Sequence, residues 1–176
     1  EQESQKVASD GLANDRFGYS VAISGDTAIV GAPLDDVGAN TNQGSAYIFV
    51  RSGTTWTEQQ QIFASDGALS DNFGQSVAIY GDTVVVGAFL DNVGAVNAQG
   101  SAYIFVRSGA TWTEQQKLTA ADGAAEDRFG SSVAISGNTE TIALQIDTKS
   151  PIGEVAWQQK EEGNIYYKPY FLNDVF

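Results

Sequence analysis

The side chains best equipped for chemistry in this chain are carboxylates, and they recur at a fixed spacing. Asp10, Asp66 and Asp122 stand 56 residues apart, as do Asp15, Asp71 and Asp127, and as do Asp35 and Asp91. Asp36 adjoins Asp35, and Asn92 takes its place in the second copy. Oxygen donors of this kind suit a hard divalent cation, and calcium takes about six to eight of them. Asp and Asn also serve a plainer purpose, bonding the backbone of their own loop to hold a turn. Both uses remain open at these nine Asp positions. Paired carboxylates can hydrolyse glycosides, but an active site is asymmetric and these acids repeat from copy to copy. No enzyme is expected.

Composition closes other routes. The chain has no Cys, His or Met. It therefore has no disulfide, thiolate nucleophile, usual zinc ligand or imidazole base. Any transition in the range of about pH 6 to 7 must come from carboxylates with raised pKa values. Acidic residues outnumber basic ones 22 to 9, a net charge of −13. Such a chain repels phosphate backbones, so nucleic acid is not an expected partner. No apolar run approaches the roughly 20 residues of a membrane helix. The chain begins at Glu1, as signal-peptide removal or trimming would leave it, and an extracellular or cell-surface location is the expectation.

What positions the acids is an internal repeat of 56 residues. Phe17-Gly18 returns as Phe73-Gly74 and Phe129-Gly130, and Gly31-Ala32-Pro33 returns as Gly87-Ala88-Phe89. The stretch GSAYIFVRSG at 44–53 returns unchanged at 100–109, and Trp56 returns as Trp112. Each period reads as four strands: Ser20 to Ser24, Thr27 to Ala32, Ser45 to Arg51, and about Thr55 to Ala64. Gly25-Asp26 suits the hairpin turn between the first two. Small residues at Gly31, Ala32, Gly87 and Ala88 let inner strands crowd together. Trp56 and Trp112 are expected between blades, and Arg51 and Arg107 are read as turn and edge charges. The fold class is all-β, with four-stranded antiparallel blades of the β-propeller type, about three of them.

The Phe-Gly and Gly-Ala-Pro pairing resembles the FG-GAP repeat, known from integrin α-subunit propellers and bacterial surface proteins. The resemblance covers about residues 5 to 139. It implies a non-catalytic propeller that binds proteins or glycans, in some members with calcium. Many members hold calcium in an Asp-rich loop between the first two strands. Here that position has only Ser24-Gly25-Asp26-Thr27, Tyr80-Gly81-Asp82-Thr83 and Ser136-Gly137-Asn138-Thr139. Turns this short cannot supply a calcium shell, and that site is not carried over.

In an up-and-down blade, the loop between strands two and three leaves the same side as the link to the next blade. Asp35, Asp36, Asn40, Asp91, Asn92 and Asn97 therefore share one side with Asp10, Asp15, Asp66, Asp71, Asp122 and Asp127. A calcium site is the cofactor expectation there.

Residues 1–139 form the repeats: 1–9 an orphan fourth strand, 10–66 and 67–122 full units, 123–139 the start of a third. Residues 140–176 diverge. Thr141 to Thr148, Glu154 to Gln159 and Asn164 to Leu172 read as replacement strands, with Tyr166, Tyr167, Tyr170 and Phe171 covering the end of the stack and Pro169 at an edge. Three blades are too few to close a propeller, which takes about four to eight. The chain is read as a subunit that self-associates, residues 1–9 adding as a strand to a neighbour to give an oligomer or surface fibre. The alternatives are a ligand-binding piece of an adhesin propeller and a calcium-dependent glycan-binding module.

Overall fold

In the computed structural model, which describes residues 5–136, 141–145, 155–161 and 164–170, every regular element is a strand. Blade 1 contains β1 (Ser20–Ser24), β2 (Thr27–Ala32), β3 (Ser45–Ser52) and β4 (Thr55–Ile62). Blade 2 contains β5 (Phe73–Tyr80), β6 (Thr83–Ala88), β7 (Ser101–Ser108) and β8 (Thr111–Leu118). Blade 3 contains β9 (Ser132–Ser136), β10 (Thr141–Gln145), β11 (Val155–Glu161) and β12 (Asn164–Tyr170). Each is a four-stranded antiparallel meander in chain order, and the three sheets form an open array.

Register repeats with sequence. Tyr47 lies opposite Val30 and Gln61, and Tyr103 opposite Val86 and Lys117. The β3–β4 ladder slips between Ile48 and Phe49, and the β7–β8 ladder between Ile104 and Phe105. Identical strands thus place identical side chains on each face, because a one-residue slip would exchange the faces. The fourth strand ends at Ile62, short of the expected Ala64. Its last partner is Ala46, and the Ala64 carbonyl accepts instead from Gly67 N–H at 3.1 Å, turning the chain into the link. β12 is an edge strand and carries Pro169, the setting in which a sheet accommodates Pro. Of the expected aromatic cover, Tyr166, Tyr167 and Tyr170 lie on β12, whereas Phe171 falls outside the described residues, as do 1–4.

The core lies between blades. Ile29, Ala46, Ile48, Ile62 and Ala64 of blade 1 pack against Phe73, Ile79, Val84, Val86, Tyr103, Phe105 and Trp112 of blade 2. The next joint repeats the scheme, with Val85, Ala102, Ile104 and Leu118 meeting Phe129, Val133 and Ile135. Burying each large apolar side chain contributes about 1.5–3 kcal/mol. Trp112 is an inter-blade residue, as expected: its indole N–H donates to Gln59 at 3.1 Å, and its backbone N–H to Gln60 at 2.8 Å.

The inner strands approach so closely that one position tolerates no side chain. A Cβ on Gly31 would run into the Gly74 carbonyl, and one on Gly87 into the Gly130 carbonyl. The same carbonyls accept from Ser20 Oγ and Ser76 Oγ, each at 2.8 Å. Gly31→Ala and Gly87→Ala should therefore each force the blades apart and destabilise the chain by about 2–3 kcal/mol. Urea unfolding midpoints check this, and a loss below about 0.5 kcal/mol would contradict it.

Candidate functional site at the blade joints

The loop from β2 to β3 reaches over to the link that begins the next blade. Ser70, Asn72 and Phe73 donate backbone N–H groups to the carbonyls of Thr41, Asn42 and Gln43, at 3.0, 3.2 and 2.8 Å. One period later, Glu126, Arg128 and Phe129 donate to Asn97, Ala98 and Gln99 at 3.0, 3.1 and 2.8 Å. The Gln side chains complete this clamp. Gln43 Nε2 donates to the Ala64 carbonyl at 3.3 Å and Gln99 Nε2 to Ala120 at 2.9 Å. Phe73, so fixed, packs its ring against Tyr103 and Phe105 with centroids 5.5 and 5.9 Å apart. Phe17 meets Tyr47 and Phe49 in the same way.

The sequence-identified carboxylates do meet on this side, and they divide by task. Asp71 and Asp127 accept the backbone N–H three residues earlier, from Ala68 and Ala124, both at 2.6 Å. Asp15 accepts from Leu12 in the same manner. Asp36 holds the Asn42 N–H at 2.8 Å, and Asn92 holds that of Ala98 at 2.8 Å. Asp10 and Asp35 are joined by Tyr47, whose hydroxyl lies 2.7 Å from the first and 3.0 Å from the second. Asp66 and Asp91 are joined likewise by Tyr103, at 2.8 and 3.3 Å. Asp122, the third-repeat counterpart of Asp10, is exposed. Among the described residues no group of three or more acidic side chains converges as a metal-binding cluster. On the opposite side, Arg51 and Arg107 pair with the turn residues Asp26 and Asp82 and lie over Trp56 and Trp112.

The two acid pairs differ at one neighbour. In blade 1 Gln61 Nε2 donates to Asp35 and to the Tyr47 hydroxyl, each at 2.9 Å. In blade 2 the equivalent Lys117 ammonium lies 2.7 Å from Asp66 and 2.6 Å from Asp91. Burial raises the Asp35 pKa, and the bonds from Ser45 and Tyr47 offset it only in part. Burial would raise Asp66 too, but bonds from Lys117 and Tyr103 and the ammonium charge hold it below its usual value. Lys117 is shifted up, its acid partners outweighing the cost of its own burial. Sequence reasoning missed Tyr47, Tyr103, Gln61, Lys117, Gln43 and Gln99. The signal was available, since aligned repeats show Lys where Gln stood, opposite an invariant Tyr.

Stacked four-stranded meanders, clamped by loop to link, define a β-propeller-type repeat protein. The FG-GAP repeat matches residues 1–49, 56–105 and 112–143, and the chain belongs to that family. No curated protein matches it.

Two tests address the joints. Gln61→Lys should give blade 1 the cation that blade 2 has and stabilise the chain by about 1–2 kcal/mol near neutral pH, while Lys117→Gln should cost about as much. Denaturant midpoints of the two variants moving in the same direction would refute that. The second concerns Asp71, 1% exposed, whose pKa is pushed up to about 6, chiefly by burial. A folded-state pKa above the unfolded value of 3.8 means the native state binds the proton more tightly. This group's contribution to stability is thus full at low pH and is lost as pH rises through about 6. Asp71→Asn keeps an acceptor for Ala68 without the charge. It should be more stable than the parent by on the order of 2–3 kcal/mol at about pH 7.5, with the gap closing toward about pH 4. Equal stability at both pH values would overturn the assignment.

Proposed function

We propose that this chain is a non-catalytic, extracellular assembly module that lengthens its β structure by association with another copy, through its N-terminal segment. One observation carries the reading. Gln5 and Lys6 correspond to Gln61 and Ile62, which end β4 and pair with Tyr47 and Ala46 of β3. Gln5 and Lys6 themselves belong to no strand. The residues that follow are nevertheless seated as in the repeat. Ala8 packs with Tyr47 and Phe49. Ser9 bonds Glu58 through N–H at 3.0 Å and Oγ at 2.7 Å, as Ser65 bonds Glu114 at 2.9 and 3.0 Å. The segment therefore approaches blade 1 along the path by which a fourth strand leads into the next blade.

A strand edge supplied by a neighbour satisfies the backbone groups of Gln5 and Lys6, and exposed Val7 sets which face turns inward. Such a contact is heterologous and builds a ring or a filament. The FG-GAP fold, which is generally non-catalytic, and the commitment of the acids to turns and Tyr bridges support an assembly role over an enzymatic one.

Deleting residues 1–7 leaves Ala8 and Ser9 in place and should convert the assembled protein to monomers, measured by light scattering across a concentration series. A truncated chain that assembles as the parent does would sink the proposal.

A further inference from the structure

The two Tyr-bridged acid pairs are one arrangement built twice, with a single difference in charge. Asp10 and Asp35 in the first copy, and Asp66 and Asp91 in the second, each flank a Tyr hydroxyl. The inner acid of each pair is buried, Asp35 at 5% and Asp91 at 4% exposure, and the outer one faces solvent. In the second copy the Lys117 ammonium stands between the carboxylates, in contact with Oδ2 of Asp66 and Oδ2 of Asp91. The fold therefore already holds a cation at this position. In the first copy the uncharged Gln61 takes the equivalent place, and among the described residues no cationic side chain reaches either acid. The hydrogen bonds shift with the charge. Ser45 Oγ donates to Asp35, whereas Ser101 Oγ makes no such bond to Asp91. At Asp35 a hydroxyl and an amide fill the place that an ammonium takes at Asp91.

We propose that Asp10 and Asp35 bind a calcium ion at the position that the Lys117 ammonium occupies in the second copy. Asp66 Oδ2 and Asp91 Oδ2 lie 2.7 and 2.6 Å from that ammonium nitrogen, close to the calcium–oxygen range of about 2.3–2.6 Å. Asp10 Oδ2 and Asp35 Oδ2 are the matching ligands. Magnesium, which demands about 2.0–2.1 Å and a rigid octahedron, fits this spacing poorly. Two carboxylates do not fill a calcium shell, and neutral oxygens complete it. Gln61, turned about its last bond, presents its amide oxygen where its nitrogen now donates. The Tyr47 hydroxyl adds another oxygen, and water enters from the exposed side of Asp10. A divalent ion also relieves the charge of the set. Burial raises the Asp35 pKa, and the neighbouring charges of Asp10 and Asp15 push it the same way. The second copy is closed to calcium because its own ammonium fills the position. The site lies on the loop side of the blade, away from the short turn between the first two strands.

The repeat supplies its own controls. Bound calcium is counted by equilibrium dialysis in about 0.15 M KCl, which screens the diffuse charge of the chain, and the melting temperature is followed as calcium rises. The parent should take one ion, with a dissociation constant on the order of 0.1–1 mM, and should melt higher as the site fills. Gln61→Lys gives the first copy the residue that the second already accommodates. It should take no ion and melt at one temperature with or without calcium. Lys117→Gln recreates the first arrangement in the second copy and should take two. Magnesium at equal concentration should leave the parent's melting temperature where it was. A parent that takes no calcium at tenfold above that range would overturn the proposal. So would a Gln61→Lys chain that binds as the parent does, a Lys117→Gln chain that stays at one ion, or an equal shift with magnesium. Removing residues 1–7 leaves Asp10 in place and should not change the count, so this proposal and the assembly reading fail separately.

Discussion

Everything in this stack depends on a backbone-to-backbone approach with no room for a side chain. Gly31 of one blade meets Gly74 of the next, and Gly87 meets Gly130. The two sequence marks of the family are thus two halves of one contact, the Gly of Gly-Ala-Pro in one repeat and the Phe-Gly of the following one. Positive φ at Gly74, 91°, turns its carbonyl toward the neighbouring strand. With that contact made, the Phe ring drops onto its own third strand and the loop carbonyls reach the link. A larger residue at either Gly would move all three together, because packed interiors transmit displacement rather than absorb it.

The polar groups at the joint follow from the same geometry. Links and β2–β3 loops are forced onto one side, and the turns they make favour Asp and Asn. Bringing them together buries carboxylates beside one another, which is unfavourable unless each is bonded. The chain meets this in two ways, with a Tyr hydroxyl bridging the acids in both blades and an amide or an ammonium completing the set. Exposed pairs such as Arg51 with Asp26 add little by comparison. Their guanidinium groups also lie over the rings of Trp56 and Trp112.

Much of the fold could be read from residue types. Period, strand number, the hairpin at Gly25-Asp26, the inter-blade place of Trp112 and the edge position of Pro169 all follow from local rules that tertiary context does not override. The acidic side of the stack was also legible, because it depends only on strand order. What the acids do there was not. Whether Asp71 serves a cation or its own loop depends on a 2.6 Å bond to Ala68, and whether Asp35 stands alone depends on Tyr47 arriving from another strand. Contacts of that kind depend on register and twist, which composition does not encode. The roles of Gln43 and Gln99 were hidden for the same reason, since each acts on a segment about 20 residues further along the chain.

The unchanged decapeptide shared by β3 and β7 has a kinetic consequence. Because 44–53 and 100–109 are the same sequence, β2 and β6 can each find a correctly shaped partner strand in the wrong repeat. Nothing in those strands distinguishes the native ladder from the crossed one. Discrimination falls to chain connectivity, since the native partner is closer in sequence and its loop closes at a lower entropic cost. It falls also to the few positions where the copies differ, Gln61 and Lys117 among them. Repetition of this kind favours traps in which whole hairpins are exchanged, within a chain or between chains. The lone ammonium in the second blade therefore acts as an address label as well as a counter-charge.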